Sequence, residues 1–183
     1  TMIFGVFGAA AASARVLCLI ADSSASALAI AANLAGGLGR TFIDGTDEWT
    51  LQVGLAGRNG LLAAQIAEQG VRAAPGTLEG RSGFYQAFAG TTEKANDVMS
   101  DLGDHWVIDA VTLKAYPVCA THQSPVRLLL QIAPEHRLTA RDGDAIVLEL
   151  NPYEAQFPGV NHCGPCHGFG ATAMSGPFCL ATA

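Results

Sequence analysis

Charge is scarce in this chain: Asp, Glu, Lys and Arg make up 14% of its 183 residues, and the ten basic side chains are scattered against sixteen acidic ones. A net charge of -6 without a basic face leaves nothing to neutralise a phosphate backbone, so nucleic acid is excluded as a partner. A small anion is not excluded, because a pocket needs only two or three converging cations. A basic leader is also missing. Residues 2–20 are apolar enough to suggest a signal peptide or a membrane span, but nothing basic precedes them and they contain Ser13 and Arg15, so they read as a buried helix and no membrane partner is expected. Five cysteines, an odd number, do not make a disulfide framework, and a reducing, cytoplasmic setting is the expectation. Polar ends are lacking too: Thr1 leads directly into an apolar helix and the last five residues carry no breaker or cap, so both ends read as internal to a longer protein.

What is abundant is small and apolar. Half of the residues are hydrophobic, enough for one ordinary domain or two small ones, with alanine and glycine suited to close helix contacts. The pattern predicts a helix over 4–18, then a cap at Asp22-Ser23-Ser24 and a helix over 25–35 ended by Gly36-Gly37. Residues 39–50, with Asp44-Gly45 and Thr46-Asp47, read as a loop. A third helix is expected over 53–69 with Gly70 as its stop, then short helical pieces over 75–95 and 94–102. After Gly103 the composition shifts to Val, Ile and Thr. Residues 106–114 and 145–150 read as strands, Ser124-Pro125 as the start of a helix running to Ile132, and a last helix starts near Ala171. The order strand, helix, strand, helix implies a small α/β unit beyond a boundary at residues 104–109.

Two clusters carry possible chemistry. The string His162-Cys163-Gly164-Pro165-Cys166-His167 holds a Cys-x-x-Cys-His spacing, which suits haem attachment, and a Cys-Gly-Pro-Cys, which suits thiol redox chemistry. It lacks the export signal that the first would need and the preceding strand that the second would need. As a zinc site it crowds four ligands into six residues, with Cys119 and His122 as the only mixed second pair, so coincidental loop cysteines are the ordinary alternative. The other cluster runs from Lys114 through Tyr116-Pro117 to Cys119 and His122. A lysine at a strand end, followed by a proline-fixed turn with a thiol and an imidazole, gathers groups able to transfer protons or hold an anion. Solvated side chains are its ordinary alternative.

Several blocks together resemble the MmgE/PrpD family. They are Phe4-Gly5-Val6-Phe7-Gly8-Ala9-Ala10 with Ala27-Leu28-Ala29-Ile30-Ala31, within a hairpin block over residues 1–38; Gly54-Leu55-Ala56-Gly57-Arg58-Asn59-Gly60; Leu78-Glu79-Gly80-Arg81-Ser82-Gly83-Phe84; Lys114-Ala115-Tyr116-Pro117-Val118-Cys119; and Met174-Ser175-Gly176-Pro177-Phe178. They stand in the family's order and cover nearly the whole chain. The resemblance implies an α+β fold, with residues 1–105 as part of an all-helical domain and residues 106–183 as part of a small α/β lid, in a protein that forms homodimers.

It also implies a lyase or isomerase that works without metal or other cofactor. Such enzymes dehydrate, decarboxylate or epimerise small di- or tricarboxylates by proton transfer beside a carboxylate. Lys114 matches the family lysine at the lid's start and is expected to anchor a carboxylate or donate a proton. Cys119 stands where the decarboxylase has a lid histidine, and His122 lies one residue from the register of a later family histidine. These three are the expected catalytic residues, with Arg58 and Arg81 on the substrate side. Trp49 and Gln52 replace a lysine and a histidine of several relatives, which argues for a different substrate or for a non-catalytic relative. The family's aspartate- and histidine-bearing N-terminal helices have no counterpart here, so the segment is expected to be inactive alone.

Overall fold

The protein is described by a computed structural model over residues 2–183. Thr1, where the first family-like block begins, lies outside the described residues. Among them nine α-helices follow in order: α1 (Met2–Val16), α2 (Ala21–Asn33), α3 (Arg40–Asp44), α4 (Glu48–Glu68), α5 (Phe84–Ala89), α6 (Gln123–Glu135), α7 (Pro152–Ala155), α8 (Phe169–Met174) and α9 (Gly176–Thr182). Short 3-10 turns lie at Asn96–Met99, Val107–Ala110 and Ala120–His122. No helix among the described residues is long and apolar enough to cross a membrane. The chain forms two compact units: one holds the chain up to Gly37 with Thr50–Val111, the other Leu38–Trp49 with Thr112–Ala183.

The first unit is packed through small side chains. Val6, Ala10 and Ala14 recur every four residues on α1, which puts them on one face. With Ala27 and Ala31 of α2 and Ala63, Ala64 and Ala67 of α4 they form two adjoining buried clusters, flanked by Phe7, Leu28 and Ile30. Such short side chains let backbones approach closely. A Cβ on Gly60 of α4 would lie 2.4 Å from the Cβ of Ala9 and 2.6 Å from both the Val6 carbonyl oxygen and the Ala10 nitrogen. Phe84, buried at the start of α5, meets Phe7 edge to face with ring centroids 4.9 Å apart.

Helix ends in this unit follow two routes. Gly70 ends α4 as expected, with φ +86° and the Val71 N–H returning to the Ile66 carbonyl. At the end of α1 the same arrangement is built on a cysteine: Cys18 takes φ 53°, its N–H bonds Arg15, and the Leu19 N–H bonds the Ala14 carbonyl at 3.0 Å. Leu19 then packs on the cluster containing Ala14, so tertiary burial holds a left-handed residue without glycine. The expected cap at Asp22-Ser23-Ser24 is not used. The second helix starts at Ala21 after Ile20, with no side-chain cap, and ends at Asn33, ahead of the glycines.

The second unit has its core at Val126 of α6 and Cys179 and Leu180 of α9, with Tyr116, Val118, Leu129 and Leu148 packed against them. The predicted loop over 39–50 is partly helical. Thr41 is buried, its hydroxyl donates to the Thr46 carbonyl at 2.9 Å, and Gly45 at φ 66° stops α3, so the Asp44-Gly45 signal marks a helix end. The helix expected from Ser124-Pro125 to Ile132 begins at Gln123 and runs to Glu135, with His122 in the cap position. The expected last helix is two, α8 and α9, the second capped by the Ser175 hydroxyl, which accepts from the Phe178 N–H at 3.0 Å.

The α+β expectation is overturned: no residue among those described is in a strand, and the fold is all-helical with irregular connections. Residues 106–183 are therefore not an α/β lid. Residues 107–110 turn as a 3-10 helix, and residues 111–114 and 145–150 have no regular structure. Val107, Ile108, Val111, Leu113, Ile146 and Val147 are all exposed. Val, Ile and Thr favour extended backbone, but an extended segment becomes a strand only when a second segment completes its ladder of hydrogen bonds.

Candidate functional site

The residues expected to carry chemistry in the second unit lie along one turn ahead of α6. Lys114 is exposed and stands directly before it. Within the turn the Tyr116 carbonyl accepts the Val118 N–H at 2.8 Å, closing three residues around Pro117, whose fixed φ suits that tight geometry. Gln123 reaches back from the first position of α6. Its Oε1 accepts from the N–H groups of Ala115 (3.0 Å) and Tyr116 (3.1 Å), and its Nε2 donates to the carbonyls of Tyr116 (2.8 Å) and Val118 (3.1 Å).

The far end of the turn is fastened to the end of α8. The Cys119 N–H donates to the Ala173 carbonyl at 2.7 Å. The His122 ring is fully buried with Nε2 2.9 Å from the Met174 carbonyl oxygen. A carbonyl can only accept, so Nε2 is the donor of this bond and Nδ1 is the ring's other nitrogen. That Nδ1 is buried without a partner among the described residues, as is the Thr121 hydroxyl. Gly176 lies against the ring: a Cβ there would be 3.2 Å from Cε1 of His122 and 3.1 Å from the Val160 carbonyl oxygen. Gly176 also borders an open pocket of about 480 Å³, lined by Ile146, Leu148, Val160 and Leu180 with Asp144 and Asn161 as polar members. Lys114, Cys119 and His122 do not line it.

Thiols gather beside this turn. Cys179 is buried, with Sγ 3.2 Å from the Thr172 carbonyl and 3.8 Å from that of Ala173, the carbonyl that also holds the Cys119 amide. Burial pushes the Cys179 thiol up from its ordinary value, and the neighbouring thiols of Cys119 and Cys166 act in the same direction. All five cysteines are free thiols. In the Cys-x-x-Cys-His string the ring of His162 meets the Pro165 carbonyl at 3.2 Å and the Cys163 thiol the Asn161 carbonyl at 3.4 Å, while His167 is exposed. Among the described residues no three His, Cys, Asp or Glu side chains converge as metal ligands would.

Arg58 and Arg81 belong to the first unit. Arg58 is exposed, and its Nε and Nη2 donate to Oδ1 of Asn59 at 3.2 and 3.0 Å. Asn59 is buried and donates in turn to the Leu34 carbonyl at 3.1 Å, so Arg58 is directed by a group that also holds the end of α2. Arg81 is exposed in the turn ahead of α5. The second unit thus brings Cys119 and His122 into one turn with Lys114 at its head. Sequence reasoning missed Gln123 and Asn59. Neither bears a signature in the sequence, because what marks them is the convergence of backbone groups from other parts of the fold.

Residues 1–96 match the MmgE/PrpD N-terminal domain. Over 133 residues the chain is 32% identical to a cis-aconitate decarboxylase of Aspergillus terreus, an alignment covering 69% of this chain and 27% of that protein. A cis-aconitate decarboxylase of Aspergillus terreus strain NIH 2624 / FGSC A1156 matches with the same identity and coverage. The chain therefore matches about a quarter of the length of these curated relatives.

Proposed function

The chain belongs to the MmgE/PrpD family, and on that premise we propose that it is a segment of a cofactor-independent lyase or isomerase that moves a proton beside a carboxylate of a small di- or tricarboxylate. The observation that carries this reading is the family match, together with relatives named for decarboxylating a tricarboxylate. The turn ahead of α6 supplies matching chemistry. Lys114 is an exposed cation next to a rigidly bonded backbone, suited to hold a carboxylate or return a proton. Cys119, half-buried in the same turn, is the nearby thiol, and His122 fixes the turn through Met174. Arg58, directed by Asn59, and Arg81 are the substrate-side cations of the first unit.

The test is turnover of a panel of di- and tricarboxylates, including cis-aconitate and hydroxy and amino dicarboxylates, by the full-length protein and its Lys114→Ala variant. Elimination, decarboxylation or epimerisation by the parent, reduced at least tenfold in the variant, supports the reading. A well-folded parent that turns over nothing in the panel refutes it and favours a non-catalytic relative, for which Trp49 and Gln52 are the sequence argument.

A further inference from the structure

We infer that Gln123 is a positioning residue for Lys114, fixing the backbone from which that side chain projects. The inference rests on the role of Lys114 proposed above. A primary carboxamide offers two N–H donors and an oxygen with two lone pairs, and Gln123 uses all of them on three of the four residues that follow Lys114, namely Ala115, Tyr116 and Val118. The two amides it accepts from are those of the first and second residues after Lys114, so the constraint begins at the adjacent peptide. Residues 111–114 have no regular structure and are exposed, so no helix or sheet ladder holds the lysine from the other side. The other end of the clamp is stable: Gln123 opens α6, the preceding His122 is fully buried against Met174, and Val126 one turn on is in the core. The side chain therefore transmits the position of a packed helix to an otherwise irregular segment.

Glutamine is specific to this task. Glutamate has the same length but, ionised, offers no donor, and its oxygens would face the carbonyls of Tyr116 and Val118. Asparagine is one methylene short of the span. Methionine keeps the length and has no N–H donor, leaving two amides and two carbonyls to water.

The experiment compares the full-length parent with Gln123→Met, Gln123→Glu, Lys114→Ala and the Lys114→Ala/Gln123→Met double variant. Two readouts are taken: hydrogen exchange at the Ala115 and Tyr116 amides, and KM and kcat for cis-aconitate and the other acids of the panel. The expected result is exchange at those two amides at least tenfold faster in both Gln123 variants, with unchanged exchange in the α1 and α4 core. KM rises about tenfold while kcat changes less, because a displaced anchor weakens carboxylate binding whereas partial unfolding would lower kcat and leave KM alone. The double variant is no worse than Lys114→Ala alone, since the clamp acts through the lysine. Unchanged exchange at Ala115 and Tyr116 would overturn the inference, and so would released amides with unaltered KM. Loss of the same size added on top of Lys114→Ala would also overturn it. A folded parent that turns over no acid in the panel would instead sink the proposed reaction, and the inference with it.

Discussion

Replacing Gly60 by alanine places a methyl group where α1 already is. The new Cβ would sit 2.4 Å from the Cβ of Ala9, against the roughly 3.5–4 Å of ordinary carbon contacts, so the helices must part locally by more than about 1 Å. Two of the three nearest atoms are backbone, the Ala10 nitrogen and the Val6 oxygen, and cannot rotate away. Helix propensity pulls the other way, since alanine is favoured over glycine by about 1 kcal/mol in a helix interior. Overpacking of this kind costs about 1–3 kcal/mol, and separating α1 from α4 also loosens Val6, Ala10 and Ala63, which share one buried cluster. Gly60→Ala is therefore expected to lose up to about 2 kcal/mol net of the propensity gain. Gly57 is the internal control, one turn earlier on the same helix with no heavy atom within 4 Å of its would-be Cβ. Gly57→Ala is expected to gain up to about 1 kcal/mol. Urea denaturation followed by far-UV circular dichroism measures both, and the expected gap is about 1–3 kcal/mol, the overpacking cost alone. Equal stabilities within about 0.5 kcal/mol would refute the argument that close α1–α4 approach requires glycine at this position.

Asn59→Leu removes a buried carboxamide that holds the Leu34 carbonyl and directs Arg58, and is expected to cost about 1–3 kcal/mol in the same assay. In the proposed enzyme it should also weaken substrate binding through the freed Arg58, measured as a raised KM. For Cys179 the sign follows from the raised thiol. Below the ordinary thiol range both folded and unfolded chains are protonated, but above about pH 8.5 the unfolded thiol ionises while the buried one does not, so stability falls with pH until the folded thiol ionises too. Cys179→Ala should flatten that alkaline decline in urea midpoints measured across the range. Alkylation mapped by mass spectrometry should reach exposed Cys18 and Cys163 first and Cys179 last, and early labelling of Cys179 would contradict its placement.

Much of the first unit and the family itself were legible along the chain. The small, apolar run of α1, the alanines of α2 and Gly70 as a stop are carried by neighbouring residues, so local reading finds them. The order of the MmgE/PrpD-like blocks likewise survives in one dimension, and the domain match over residues 1–96 agrees with it. The failures share a different cause. Residues 106–114 and 145–150 have strand-like composition, but pairing is a relation between two segments, and composition does not supply the second. Cys18 ends a helix without glycine because Leu19, partly buried beyond it, packs on the core, and Ala21 starts one without the available Asp22 or serines. Gly57 and Gly60 look equivalent in sequence, yet only one faces α1. Sequence alone fixed which residues prefer helix and which family motifs are present, since both reside in contiguous residues. Only the tertiary structure decided that residues 106–183 contain no sheet, that Gly60 is the close contact, and that Gln123 holds the backbone beside Lys114, because each depends on atoms far apart in the chain meeting within a few ångströms.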